Sequence, residues 1–317
     1  MRDSQITDWL SGHGWSGWTR NPIAGDASAR RYERLSGPDG DTVILMDAPP
    51  ETCGSQAAFV TVARHLRSLG LAAPDVLAED LEVGVLILSD LGQADFATHL
   101  AVRPDDEGVL YGAAVDVLRR LSDHPAPDGL PVMTPTTGAQ MLAPAFDWAF
   151  TEASPDLKAD IMDQMTQLLA SVDPQPVTLS LRDFHAENLI WRGGLTGVDR
   201  VGLLDFQDAF VTHPTYDLAS LLRDARRDVS DDLLKDLLRR LDPSGDARDL
   251  RRAFHIMAVQ RNLRILGIFH RLAKVDGKTR YLDFVPRVTA HLHADLAHPA
   301  LADIRPLILR FLLKDTS

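Results

Sequence analysis

Residues 181–189 read Leu181-Arg182-Asp183-Phe184-His185-Ala186-Glu187-Asn188-Leu189. An Asp is followed, after four intervening residues, by an Asn, and the stretch lies between two apolar runs. Val177 to Leu181 leads in. Leu189-Ile190-Trp191 leads out, then comes the turn Arg192-Gly193-Gly194, then Val201-Gly202-Leu203-Leu204 running into Asp205-Phe206. Asp217 follows twelve residues later, in Tyr216-Asp217-Leu218-Ala219. The pattern predicts a strand, a polar loop, a hairpin and a strand ending on a carboxylate, in that order.

One chemistry accounts for these residue types together. Phosphoryl transfer asks little covalent work of a protein; it asks for positioning and charge neutralisation. Mg²⁺ takes hard oxygen ligands and keeps several waters, so one carboxylate and one amide oxygen suffice from the protein. Asp205 and Asn188 are the candidate ligands. Asp183, on the same loop as Asn188, is the candidate group to accept or orient the proton of an acceptor hydroxyl. Taken singly, Asp-x₄-Asn is a turn pattern and Asp-Phe an ordinary strand end. Their order and spacing make the combination informative and imply ATP and Mg²⁺.

Outward from this centre the chain changes texture. Residues 1–92 read as strands with one clear helix. Strands are expected at Trp18 to Ala24, Arg31 to Leu35, Val43 to Met46, Val76-Leu77 and Val85 to Leu88, with turns at Gly25-Asp26-Ala27-Ser28 and Gly37-Pro38-Asp39-Gly40. Phe59, Val62, Ala63, Leu66 and Leu69 share one helical face between them. The order β-β-β-α-β-β predicts an antiparallel sheet with one packed helix. Residues 93–317 read as mainly helical. One apolar stripe contains Leu110, Ala114, Val117 and Leu121, another Leu157, Ile161, Met165 and Leu168, and further helices are expected over 215–227, 230–241, 247–273 and 303–313. The fold expected is α+β and bilobal, dividing near Leu91-Gly92, and clefts between such lobes are common ligand sites.

Composition narrows the function. The 317 residues are 45% hydrophobic and 25% charged, an ordinary globular balance. A net charge of −12 lacks the basic footprint of a nucleic-acid binder and would repel an anionic membrane. One cysteine, Cys53, precludes an internal disulfide and suits a reducing compartment. Met1 to Leu10 lacks the basic-then-apolar pattern of a secretory signal, and no apolar run approaches the ~20 residues that span a bilayer. The expectation is a cytoplasmic protein with a small-molecule partner, no nucleic acid and no membrane; nothing specifies an oligomeric state. Eleven histidines show no zinc-type spacing.

The 182–189 loop resembles that of the aminoglycoside phosphotransferase and choline kinase family, which shares the bilobal protein-kinase fold. The family loop reads His-x-Asp-x-x-x-x-Asn, commonly with a further His where His185 stands. Asp205-Phe206 resembles its metal-binding Asp, and His213 to Ala219 its following Gly-x-x-x-Asp-Leu-Ala segment. The resemblance implies Asp183 as catalytic base, Asn188 and Asp205 as Mg²⁺ ligands, and Asp217 as a buttress of the loop. Four further segments resemble the sugar kinases of bacterial cell-wall recycling, which phosphorylate the anomeric hydroxyl of N-acetylmuramate and N-acetylglucosamine. They are Gly25 to Ser28 with Arg30-Arg31-Tyr32, Met46-Asp47-Ala48-Pro49-Pro50, Asp205-Phe206-Gln207-Asp208-Ala209, and Gln260 to Phe269.

The chain departs from that pattern in three places. Leu181 replaces the family's first loop His, and Gln207 the Gly that usually follows Asp-Phe. The strand Val43-Ile44-Leu45-Met46-Asp47 carries no lysine for the ATP phosphates, and helix 55–69 carries no Glu to pair with one. Arg30 or Arg31 is the candidate replacement; alternation along the strand directs Arg30 and Tyr32 to one face and Arg31 to the other. Ser28 and its turn would cover the phosphates, and Ser89-Asp90-Leu91-Gly92 would be the hinge, with Ser89 and Leu91 offering backbone to adenine. Arg182 and His185 flank Asp183 as buttress or substrate contact. Arg261 and Arg264 share a helical face, either solvated or forming a pocket for an anionic acceptor group such as a lactyl carboxylate. Trp148 and Trp191 could stack on a sugar ring but are expected in the core, and Arg223 to Arg240 on the surface. Three functions stay open: an amino-sugar kinase, which the segments favour; an aminoglycoside- or choline-type kinase, to which an acidic surface would draw a cationic acceptor; and a nucleotide-binding pseudokinase, which the missing lysine suggests.

Overall fold

The computed structural model describes residues 2–23, 29–230 and 232–312. They form two compact units, Met1–Asp95 with Leu189–Asp208, and Phe96–Asn188 with Ala209–Ser317. Texture alone puts the division at Gly92 and leaves the 189–208 hairpin with the helical part. The hairpin belongs instead to the first unit, because Trp191 N–H donates to Ala94 O (2.7 Å) and Leu203 N–H to Ala72 O (2.9 Å). No local periodicity reveals such long-range backbone bonds.

The first unit is built on strands β1 (Thr19–Ile23), β2 (Arg31–Ser36), β3 (Thr42–Asp47), β4 (Val76–Asp80) and β5 (Val85–Ser89), in the order β1-β2-β3-β5-β4 and antiparallel throughout. Central β3 is covered on both sides, which is why it reads as an unbroken apolar run. On one face Val43 and Leu45 join Leu35, Val85 and Ile87 in a core closed by Ile6 and Leu10. Met46, Leu86 and Leu88 are buried on the other. Helix Ala57–Ser68 buries Phe59, Val62, Ala63 and Leu66 as its stripe predicts.

Helices Arg2–Gly12 and Pro50–Cys53 add to the single helix expected here. The first gives almost no sequence signal because its buried residues are Ile6 and Leu10 alone, one turn apart in a polar segment. It is fastened by charge as well as by packing. Arg2 forks onto Asp47 Oδ1 (2.9 and 2.6 Å) and Arg31 onto Asp47 Oδ2 (2.9 and 2.6 Å). One buried carboxylate at the end of β3 therefore accepts two guanidiniums, one on each oxygen, through charge-assisted hydrogen bonds.

Four short strands follow: β6 (Thr178–Ser180), β7 (Leu189–Trp191), β8 (Val201–Leu203) and β9 (Phe210–Thr212). β7 pairs with β8 in the first unit and β6 with β9 in the second. The connection 181–188 thus joins β6 to β7, and 204–209 joins β8 to β9. Helices Glu107–Ser122, Pro155–Val172, Leu233–Leu241, Ala247–Val275 and Arg305–Leu312 lie where periodicity puts them. Phe96–Val102, Pro135–Gln140 and Val285–Leu296 have no counterpart in the expectation.

The helix expected over 215–227 stops at Leu222. Arg223 leaves helical geometry and buries its guanidinium on Asp295, with Nε at 3.1 and 3.0 Å from the two oxygens and Nη2 at 3.0 Å. Arg223 is 5% exposed, so the surface reading of 223–240 fails there. Its partner lies 72 residues away, beyond any charge-spacing rule. Among the described residues no helix is long and apolar enough to cross a membrane.

Helix Ala247–Val275 is the spine of the second unit, packing on helices Thr215–Leu222 and Val285–Leu296. Its close approach to the Pro144–Ala145 backbone depends on Gly267: a Cβ there would overlap the Pro144 carbonyl and the Ala145 nitrogen. Backbone cannot yield as a flexible side chain can, so Gly267→Ala should destabilise the protein by about 1–3 kcal/mol. Urea unfolding should show this as a lower midpoint at unchanged slope.

Candidate active site

The connection after β6 is organised by one side chain. Asp217, 2% exposed at the start of helix Thr215–Leu222, accepts from Ser180 Oγ (2.7 Å), Leu181 N–H (2.7 Å) and Arg182 N–H (3.0 Å). Two successive N–H groups aimed at one anion form a nest, and the nest requires an unusual backbone. Arg182 has φ 70°, a left-handed conformation that a non-glycine residue adopts at a cost of roughly 1–2 kcal/mol. The turn delivers Asp183, whose side chain is 39% exposed.

Past Asp183 the loop folds back on itself. Asn188 Nδ2 donates to Asp183 O (2.9 Å) and lies 3.3 Å from His185 Nε2. The amide nitrogen is therefore turned into the loop, and its orientation is set by the network. His185 is 6% exposed. Burial, with Arg226 and Arg261 nearby, holds its imidazole well below the ordinary range, so it is neutral. With Nε2 as acceptor, the ring proton sits on Nδ1. His185 is thus buried within the loop, in reach of the Asn188 amide. Leu181, in the family's first His position, is buried at 3% exposure.

Arg261 and Arg264, one turn apart on helix Ala247–Val275, belong to the same neighbourhood. Arg261 Nη2 stands 4.0 Å from Asp183 Oδ1, and its side chain is 4% exposed. Arg264 is pulled below its ordinary value by burial and by Arg182 and Arg261, with Tyr216 and Asp183 opposing. A solvated helix face is thus ruled out for Arg261.

Asp205 lies in the first unit, on the connection after β8. It has φ 58°; Arg182 and Asp205 are the non-glycine residues with positive φ among the described residues. Strained backbone of this kind concentrates at functional sites. The turn sends the Phe206 ring inward, fully buried and stacked on Phe59 (centroids 4.9 Å, 8° between planes), and leaves Asp205 exposed. Gln207 Nε2 donates to Asp205 Oδ1 (2.8 Å), a use for the residue that replaces the family's Gly.

Strand alternation separates the two candidate arginines as expected. Arg31 is paired with Asp47, an ion pair that ties β2 to β3. Arg30 lies with Tyr32, whose phenol is pushed up to about 12 by burial and by Asp205, with Arg30 opposing. Arg30 Nε donates to Gln56 Oε1 (3.1 Å), and Gln56 is buried at the head of helix Ala57–Ser68. The first unit's residues include no lysine at all. Ser28 and the turn Gly25-Asp26-Ala27-Ser28 fall outside the described residues. Ser89 pairs with Asp75 through backbone (2.9 Å) and hydroxyl (2.8 Å), and Leu91 packs over Gly202 of the hairpin. Trp191 and Trp148 are half-buried, each beneath a cation, Arg200 at 4.4 Å and Lys274 at 5.7 Å from the ring centroid. Sequence reasoning missed Gln56 and Tyr216; Gln56, a polar residue at the head of an apolar stripe, was the detectable one.

A small antiparallel sheet unit carrying a carboxylate loop, and a helical unit carrying an Asp-x₄-Asn loop braced by a buried Asp, define a phosphotransferase of protein-kinase-like fold. The chain belongs to the phosphotransferase enzyme family, whose profile matches residues 19–254. It is similar to the N-acetylmuramate/N-acetylglucosamine kinase of Caulobacter vibrioides, 34% identical and covering 99% of this chain and 98% of that protein. It is similar also to the enzyme of that name from Pseudomonas aeruginosa, 33% identical over 90% of this chain and 87% of that one. In fold it resembles a choline/ethanolamine kinase family protein from Mesorhizobium loti, with a TM-score of 0.68 at 16% identity, covering 97% of this chain and 99% of that one.

Burial raises Asp217 to about 6 from its ordinary value near 3.8, against its three hydrogen bonds. The carboxylate form is the one that accepts both loop N–H groups, so phosphotransfer should fall as pH drops through about 6. Stability runs the other way: because the folded-state value is the higher, proton uptake between pH 6 and 4 favours the folded state at this site. Rate and circular dichroism followed in parallel should show activity lost before structure, and Asp217→Asn should remove that inflection from the rate profile.

Proposed function

We propose that the chain is an ATP- and Mg²⁺-dependent kinase of an amino sugar, acting on the anomeric hydroxyl of N-acetylmuramate or N-acetylglucosamine. The observation that carries the acceptor class is the end-to-end likeness, 34% over 99% of the chain, to an enzyme named for these sugars. The braced loop supports the chemistry. Asp183 accepts or aligns the acceptor's proton, and in a loose transition state alignment supplies much of the effect. Asn188 and Asp205 offer an amide oxygen and a carboxylate, a donor set that suits Mg²⁺. When bound, the ion supplies neutralisation of phosphate charge.

Arg30 is the choice for the missing lysine's role. It lies on the Tyr32 side of β2 and is steadied by Gln56 from the helix that follows, a neutral version of a strand cation held by a helix residue. Residues 1–92 would supply nucleotide contacts, with Ser28 over the phosphates and the backbone at Ser89 and Leu91 toward adenine. Residues 93–317 would supply the loop and the acceptor site.

ADP release measured against a panel of amino sugars, aminoglycosides and choline-type amines tests the proposal. Turnover is expected with the amino sugars and should fall by about 10²–10⁴-fold in Asp183→Asn. Turnover confined to cationic amines, or ATP binding with no acceptor used, would replace this reading. Arg30→Ala should raise KM for ATP at least ten-fold, whereas Arg31→Ala should mainly lower the melting temperature. The reverse order would return Arg31 to the phosphates.

A further inference from the structure

Beside Asp183 the second unit places two guanidiniums one helical turn apart, those of buried Arg261 and half-buried Arg264. Arg261 is buried yet stands 4.0 Å from Asp183 Oδ1, too far for a hydrogen bond. Arg264, on the same helical face, makes no hydrogen bond or ion pair with any described residue. Placing cations in such surroundings without a close anion is expensive.

A second observation comes from another helix. Tyr216 is completely buried, and its hydroxyl has no hydrogen-bond partner. Tyr216 adjoins Asp217 at the head of helix Thr215–Leu222, which packs on helix Ala247–Val275. Burial first of all raises its phenol, and the fields of Arg264 and Arg261 oppose that. A polar group left unsatisfied in a core costs about 1–3 kcal/mol. The hydroxyl and the two arginines therefore leave donors available at one place.

We infer that Arg261, Arg264 and the Tyr216 hydroxyl form a carboxylate subsite for the acceptor, with Arg264 as the residue that selects an acidic sugar over a neutral one. The inference rests on the amino-sugar reading. N-acetylmuramate differs from N-acetylglucosamine by a lactyl ether bearing one carboxylate. A planar guanidinium receives a carboxylate through two parallel N–H···O bonds. Arg261, nearer Asp183, orients the acceptor hydroxyl's partner, and Arg264 with Tyr216 holds the carboxylate.

The experiment compares kcat/KM for the two sugars in the wild-type protein, Arg264→Met, Arg264→Lys and Tyr216→Phe, with melting temperatures as a check on folding. The ratio for N-acetylmuramate over N-acetylglucosamine should fall by at least ten-fold in Arg264→Met, chiefly through KM. It should recover in part in Arg264→Lys and fall by a few-fold in Tyr216→Phe. Equal losses for both sugars would assign the arginine to the phosphoryl group and overturn the inference while leaving the amino-sugar reading in place. An unchanged ratio would overturn it likewise. Should the Met variant fail to fold, the Lys and Phe variants carry the same test. A wild-type protein that uses neither sugar would sink both this inference and the reading beneath it.

Discussion

The carboxylate of Asp217 takes three hydrogen bonds from three consecutive residues, and the rest of the loop follows from that arrangement. An anion so deeply buried is costly unless its lone pairs are filled. Ser180, Leu181 and Arg182 fill them, and in doing so they commit the backbone to a reversal at Arg182. The reversal settles where Asp183 emerges, and the loop closes when Asn188 caps the Asp183 carbonyl. His185, neutral and out of water, stands beside the Asn188 amide. The strain at Arg182 is held by the same bonds that require it.

The other strained residue, Asp205, solves a related problem by different means. There a ring supplies the anchor: Phe206 stacks on Phe59, so the carboxylate before it is turned out to solvent. In both places a left-handed residue adjoins a buried anchor. A charged group is aimed outward by a neighbour that cannot move.

The sequence shows some of this clearly because some of it is local. Asp183, Asn188, Asp205 and Asp217 are legible through order and spacing along a single stretch, and strands β3 and β5 through short apolar runs between turns. What stayed hidden depends on partners far away in the chain. The periodic charges of 223–240 look like a wet helix face, yet Arg223 finds Asp295. Helix Arg2–Gly12 buries two residues and relies on Asp47 for the rest of its hold. Arg30 and Arg31 were separable by face but not by role, because the partners that distinguish them, Gln56 and Asp47, belong to other elements. The family likeness carries the loop, and no motif contains Tyr216's missing partner.

The first unit has no lysine among its residues, and this bears on how the protein can be seen at all. The chain has five lysines, and the first is Lys158. A guanidinium stays protonated and is a poor nucleophile. Nucleotide analogues that tag ATP-binding proteins by acylating a lysine would find no side-chain amine in the first unit. In a chemical survey of a cell's kinases, such a reagent would have no lysine of this unit to mark.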